Sequence, residues 1–269
     1  MKDNLFDVSK DTVVITGVSG QLGAQYAGAF LDRGANVFGI DLKPSKRLEL
    51  LESSHSKKFR FFQADITKKS SVSLAHDSCV KEFGNPTVLV NNAAIDSPPF
   101  APSSENGPFE DYPEESWDTV LNVNLKGVFL CCQIIGSSIA VHGGGSIINI
   151  ASIYGVVSPD QSIYEYRRKR GDQFYKPIAY SASKSGIINL TRYLAVYWSK
   201  RSTRVNSLTI AGVYNSQDQE FLDAYTKRIP IGRMAQIDEY NGSVIFLASK
   251  ASNYLTGHNL VVDGGWTAI

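Results

Sequence analysis

"TVVITGVSGQLGAQYAGAFLDRGA", residues 12 to 35, decides the fold. Thr12 to Thr16 are all β-branched, the composition of a short strand in a sheet covered on both faces. Gly17, Gly20 and Gly23 follow at three-residue spacing. Beyond them the period becomes helical, with Leu22, Tyr26, Ala29 and Phe30 on one side and Gly34 as a natural end. Strand, glycine-rich turn and helix in direct succession form a phosphate cradle. Glycines let the backbone approach a pyrophosphate, and the helix start offers unpaired N–H groups and positive dipole. A tight turn without a ligand is the competing reading of three glycines alone. Asp41 ends the next strand 18 residues after Gly23 (41 − 23), where a carboxylate can accept from both adenosine ribose hydroxyls and would repel a 2′-phosphate. This favours NAD over NADP, although Lys43 and Arg47 stand close by.

The same alternation runs through the rest of the chain. "ANVFGID" (35–41), "FRFFQAD" (59–65), "TVLVNNA" (87–93), "GSIINIAS" (145–152), "RVNSLTI" (204–210) and "NLVVDGG" (259–265) read as strands, and the segments between them carry helical periodicity. βαβ units with right-handed crossovers follow, hence one α/β domain over residues 1–269 with a doubly wound parallel sheet of about seven strands. Two long loops interrupt it, at 96–115 and 158–176.

The chain has 269 residues, 43% of them hydrophobic, and a formal net charge of +1. No bulk field favours nucleic acid or an anionic membrane. Cys79, Cys131 and Cys132 have neither CxxC nor His spacing, so no metal site is expected and a reduced, cytoplasmic setting fits. The polar N-terminus has no apolar core of a leader, and no uninterrupted apolar run reaches about 18 residues, so no membrane span is expected.

Three tyrosines in "SIYEYRRKRGDQFYKPIAYSASKSG" (162–186) are each followed four residues later by a base: Tyr164 by Arg168, Tyr166 by Arg170, Tyr180 by Lys184. On a helix this spacing stacks the pair on one face, and an ammonium beside a phenol favours the phenolate. Only Tyr180 opens a long helical segment followed by a strand.

Taken in order, TGVSGQLG, Asp41, Ala64–Asp65, NNAA (91–94), NVNLKG (122–127), INIAS ending at Ser152, YSASK (180–184), RVNS (204–207) and VDGG (262–265) closely resemble the one-domain short-chain dehydrogenase/reductase family over nearly the whole chain. The resemblance implies an NAD(H)-dependent oxidoreductase. Tyr180 would be the general acid/base that exchanges a proton with the substrate oxygen while hydride moves to or from the nicotinamide. Ser152 would hydrogen-bond that oxygen, Lys184 would bind the nicotinamide ribose and lower the Tyr180 pKa, and Asn124 would hold a water linking Lys184 to solvent. It also implies cofactor contacts from Gly17, Ser19, Gly20, Gln21, Leu22, Gly23, Asp41, Asp65, Ile66, Asn91, Ala93, Tyr180, Lys184, Gly212 and Val213. Asn91 and Asn92 could instead tie the central strands together.

The chain departs from the family at three places. Gln21 stands where short forms usually carry Gly. Ala211 replaces a Pro before Gly212, and no obvious Thr follows, so Asn215 or Ser216 may substitute for it. Ser152 and Tyr180 lie 28 residues apart (180 − 152), about twice the usual separation. The inserted segment must emerge at the carboxyl edge of the sheet, beside the substrate, where Arg167, Arg168, Lys169 and Arg170 would offer charge to an anionic substrate. A solvated charge run or an oligomer contact is the other reading. "IYGVVSPDQSIYE", the insertion and "AGVYNSQDQEF" further resemble sugar-modifying dehydrogenases of flagellin glycosylation and legionaminic acid pathways. The expected substrate is a small alcohol or ketone, a sugar or sugar phosphate. The alternatives are a 3-oxoacyl-carrier-protein reductase and an inactive dinucleotide-binding module. Two apolar helices, one through 116–141 and one carrying Tyr180, resemble those that pair in family tetramers, so a homotetramer or dimer is expected.

Overall fold

A computed structural model describes residues 4–99 and 106–269; part of the 96–115 loop lies outside them. Thr12–Thr16 forms β1 and Gln21–Leu31 forms α1, joined by the glycine turn and ending ahead of Gly34. Then come β2 (Asn36–Asp41), α2 (Lys46–Ser54), β3 (Phe59–Gln63), α3 (Lys69–Phe83) and β4 (Val88–Asn91). A continuous helix α4 covers Glu114–Val141. It is followed by β5 (Gly145–Ser152), the short α5 (Glu165–Lys169), α6 (Ile178–Tyr197), β6 (Thr203–Ile210), α7 (Gln219–Thr226), α8 (Asn241–Ala248) and β7 (Asn259–Val262).

The seven strands pair in the order β3-β2-β1-β4-β5-β6-β7, every pairing parallel. Strand order reverses between β1 and β4, which opens a crevice at the carboxyl ends of these two strands. Alternating residues feed opposite faces. Val14, Phe38, Leu89 and Ile147 pack with Ile135, Ile187 and Trp198 on one side. Val13, Ile15, Val37, Val90 and Ile148 pack with Tyr26, Phe30, Tyr240 and Val244 on the other. Both layers are apolar, which accounts for strands that read as near-continuous hydrophobic runs.

By length and hydropathy α4 could cross a bilayer, yet 56% of its most apolar window is buried inside the fold. Its Val128, Leu130, Cys131, Ile135 and Ile139 belong to the first core layer. Two segments of α4, Asn122–Gly127 and Cys132–Gly136, are π-helical. Such widened turns recur at functional positions, and the first of them carries Asn124.

The inserted segment is not an open loop. A turn of 3₁₀-helix, Gln161–Tyr164, leads into α5, and Tyr164 packs against Phe174 and Phe221 at ring distances of 4.9 and 5.8 Å. With Tyr154, Ile163, Tyr225 and Trp266 these form a third, smaller core over the carboxyl edge of the sheet.

Candidate active site

The turn after β1 is shaped by two glycines. Gly17 has φ +68°, and a Cβ there would stand 2.7 Å from the Cα of Ala93. A Cβ on Gly23 would stand 2.1 Å from the Gly17 carbonyl oxygen, so α1 can start this close to the turn only without a side chain. Ser19 N–H donates to Asp41 Oδ2 at 3.0 Å, and Leu42 N–H donates to Oδ1 at 2.7 Å, which pins the carboxylate at the mouth of the crevice.

That crevice has a volume of ≈ 390 Å³ and is lined by Gly17, Gly20, Gln21, Leu22, Asp41, Asp65, Ile66, Ala93 and Val213. All nine were expected from the sequence. Burial pushes the Asp65 carboxyl up, but hydrogen bonds from Thr67 and the Lys68 ammonium outweigh it and leave the group below the ordinary carboxylate range. The lining also includes Leu42, Thr67, Ala94, Ile95 and Val123, which sequence reasoning missed. Ala94 and Val123 lie inside the NNAA and NVNLKG motifs, and the other three each adjoin a motif residue or an expected contact, which was their only available signal.

Other expected contacts sit elsewhere. Asn91 is buried and donates to Asn149 Oδ1 at 2.8 Å, tying β4 to β5. Asn92 lines the crevice and donates to the carbonyls of Thr16 and Gly17, both at 3.1 Å. The Asn91 side chain therefore ties the strands, while Asn92 both ties them and faces the crevice. Gly23 acts through packing. Ser19 turns its hydroxyl to the Lys43 carbonyl at 2.7 Å and meets Asp41 through its backbone. Gly212 N–H donates to Tyr225 Oη at 2.8 Å. Asn215 and Ser216 lie on an exposed bend and do not line the crevice.

Beside the crevice, β5 ends at Ser152, whose hydroxyl accepts from the Tyr154 N–H at 3.2 Å and lies near enough to the Tyr180 phenol to favour its ionised form. Tyr180 lies in the first turn of α6, and Lys184 follows one turn later, its ammonium 5.7 Å from the Tyr180 ring centroid. Lys184 Nζ donates to the Ile150 carbonyl at 2.8 Å. Burial depresses the ammonium to about 8, against the Asp96 charge, which pulls it up.

One expectation needs correction here. Lys184 was expected to lower the Tyr180 pKa, but the phenol is shifted up. Desolvation dominates, the Asp96 carboxylate adds to it, and the Ser152 hydroxyl opposes it. Lys184 turns its ammonium to a carbonyl rather than to the phenol oxygen. The Asn124 side chain is engaged with protein: Oδ1 accepts from Ile95 N–H, and Nδ2 donates to the Ile95 carbonyl, both at 2.8 Å, and to Ser183 Oγ at 3.0 Å, which leaves its main chain for the expected water. The side chain fixes the segment after β4 onto α4 and α6.

Of the two readings of the basic run, the structure supports the one without a bound anion. Arg167 pairs with Asp172 and stacks on Phe174 at 3.8 Å. Arg168 donates to the carbonyls of Phe174 and Gln161 and covers Tyr175. Lys169 pairs with Glu165, and Arg170 with Glu220. Three of the four charges are paired with carboxylates and Arg168 is held by two carbonyls, so all four side chains are engaged in folding the insertion. Tyr164 is core, and Tyr166 donates to Asp218 at 3.1 Å. Among the described residues no group of three or more His, Cys, Asp or Glu could hold a metal ion.

Comparison with known proteins agrees with this geometry. A family profile described as enoyl-(acyl carrier protein) reductase matches residues 17–267. D-threitol dehydrogenase of Mycolicibacterium smegmatis is 32% identical, over 97% of this chain and 95% of that protein. A short chain dehydrogenase from Leptospira borgpetersenii, solved with bound NAD+, superposes with a TM-score of 0.86 at 33% identity, covering 99% of this chain and 96% of that one. A gluconate 5-dehydrogenase from Burkholderia cenocepacia, in complex with NADP and tartrate, gives a TM-score of 0.84 at 26% identity over 99% and 98% of the two chains. With the profile over most of its length and relatives of this identity end to end, the chain belongs to the short-chain dehydrogenase/reductase family and is an oxidoreductase acting on CH–OH groups.

Proposed function

We propose that this chain interconverts a secondary alcohol and a ketone on a sugar or polyol, with NAD(H) rather than NADP(H) as its redox partner. The observation that carries the reading is the convergence of Ser152, Tyr180 and Lys184 beside a crevice whose far end is closed by the Asp41 carboxylate. The crevice fits a dinucleotide by its own features. Its wall at Gly17 and Gly20 is bare backbone, and a fixed carboxylate at the end of β2 accepts hydroxyl donors and repels a 2′-phosphate.

When bound, the nicotinamide supplies or accepts the hydride. Gly17, Gly20, Gln21 and Leu22 would hold the pyrophosphate, Asp41 the adenosine ribose, Asp65 and Ile66 the adenine, and Ala93 and Val213 the remaining walls. In oxidation Tyr180 accepts the alcohol proton as its own phenol proton leaves toward Lys184 and solvent, in reduction the two transfers reverse, and Ser152 donates a hydrogen bond to the same substrate oxygen. Lys184, brought near neutrality by burial, can gain or lose a proton in the working pH range and so connects Tyr180 to solvent. Asn124 keeps Ile95 in place beside this path, and any water on it would be held by main-chain groups. Carbohydrate substrates are supported by the names of the relatives, D-threitol and gluconate dehydrogenases. The finer likeness to flagellin and legionaminic acid enzymes rests on the sequence alone. The exposed apolar side chains of Phe129 on α4 and Tyr193, Val196 and Tyr197 on α6 suit pairing of copies into a dimer or tetramer.

The test is NADH formation from NAD with a panel of polyols, sugars and sugar phosphates, beside a Tyr180→Phe control. Turnover that disappears in the control, with NADH binding retained, is expected. Turnover that persists in the control would remove Tyr180 from the mechanism. Tight NADH binding without turnover of any alcohol or ketone would remove the activity itself.

A further inference from the structure

Between residues 167 and 176 four bases are committed to partners that fold the insertion, and Lys176 alone turns inward. Its side chain is only 15% exposed, and its ammonium lies 5.0 Å from the Tyr180 ring centroid and 5.7 Å from that of Tyr154. There it meets Asp96 Oδ1 at 2.6 Å. Asp96 arrives from the opposite wall, directly after Ile95, whose backbone Asn124 holds by two hydrogen bonds. Oδ1 is sealed from solvent, while the Asp96 side chain as a whole is 44% exposed, so the carboxylate keeps an accessible part. Its charge reaches both Tyr180 and Lys184.

The pair therefore sets one acceptor and one donor side by side next to the phenol that touches the reacting oxygen. Its net charge is zero. A partly buried ion pair adds little to stability, whereas a fixed acceptor beside a fixed donor matches neighbouring hydroxyls, one giving its hydrogen and the next accepting one. An incoming carboxylate or phosphate would find Lys176 already neutralised and a like charge beside it.

Resting on the alcohol and ketone reading above, we propose that Asp96 and Lys176 form the substrate-reading element of this site and select neutral polyols or sugars over their acids. Asp96 accepts from the hydroxyl next to the reacting carbon, and Lys176 donates to the oxygen beyond it. Specificity then comes from the inserted segment and the segment after β4 together.

The test compares kcat and KM for alditols and for aldonates of matching chain length in wild type, Asp96→Asn and Lys176→Met, with NADH binding by fluorescence as the check on folding. Wild type is expected to favour alditols. Asp96→Asn should raise KM for alditols and move the alditol-to-aldonate ratio of kcat/KM toward the acids by about tenfold or more, the effect of losing one hydrogen bond to a charged group. Lys176→Met should raise KM for alditols without improving aldonates. A wild-type preference for aldonates, or an unchanged ratio in Asp96→Asn with NADH binding intact, would overturn this assignment while leaving the alcohol and ketone reading in place. Wild type that binds NADH yet turns over no alcohol or ketone would instead overturn that reading, and this assignment with it.

Discussion

Lys184→Met separates what this lysine does for chemistry from what it does to stability. Burial depresses the ammonium from 10.5 to about 8, a shift of 10.5 − 8 = 2.5 units. At roughly 1.4 kcal/mol per unit, the folded protein bears a cost of about 3 kcal/mol for keeping a charge there at neutral pH. Between pH 8 and 10.5 the unfolded chain binds more protons at this position than the folded one does, so wild-type stability rises with pH across that window. Below about 8 both states are protonated and the full cost remains. Integrated from pH 7 to pH 9.5, the wild type should gain about 2 kcal/mol relative to Lys184→Met. Taking the difference between the two proteins cancels the buried tyrosines, which titrate in both. The variant also leaves the Ile150 carbonyl without its donor, a loss of about 1–3 kcal/mol that does not vary with pH. Urea unfolding of both proteins at the two pH values measures the difference directly. Parallel pH dependence in the two would refute the depressed lysine and with it the relay. Alcohol oxidation by the variant should fall by two orders of magnitude or more.

Three further substitutions test the frame around the chemistry. Asp41→Asn keeps an acceptor for only one of the Ser19 and Leu42 N–H groups and removes the charge that repels a 2′-phosphate, so the NADP-to-NAD ratio of kcat/KM should rise by about tenfold, roughly 1.4 kcal/mol; an unchanged ratio would assign cofactor choice elsewhere. Gly23→Ala puts a methyl 2.1 Å from the Gly17 carbonyl oxygen and should cost about 1–3 kcal/mol in thermal unfolding and weaken NADH binding in titration. Arg168→Ala deletes the bonds to the Phe174 and Gln161 carbonyls and should speed limited proteolysis within 158–176, whereas equal cleavage rates would mean that the aromatic core alone holds the insertion.

The strands, the glycine turn, Asp41 and the helix of Tyr180 could be read from the sequence because local rules dictate them. β-branched runs, three-residue glycine spacing and a four-residue phenol–amine interval are periodic signals, and each leads to a backbone form that any chain would adopt there. The family resemblance then ordered them into one sheet with one site. Only the folded chain could decide the direction of the Tyr180 shift, because that depends on how much protein surrounds the phenol and on which way Lys184 turns. It likewise sent Asn91 into the core and Asn92 to the crevice, a one-residue difference set by strand pleat. Above all, four consecutive bases look like an anion site when written in a line. In three dimensions Asp172, Glu165, Glu220 and two carbonyls consume them, and Lys176, separated from that run in sequence, is carried by the insertion to Asp96 beside the reacting tyrosine. Charge in a sequence has sign but no partner, and partners are assigned by tertiary packing alone.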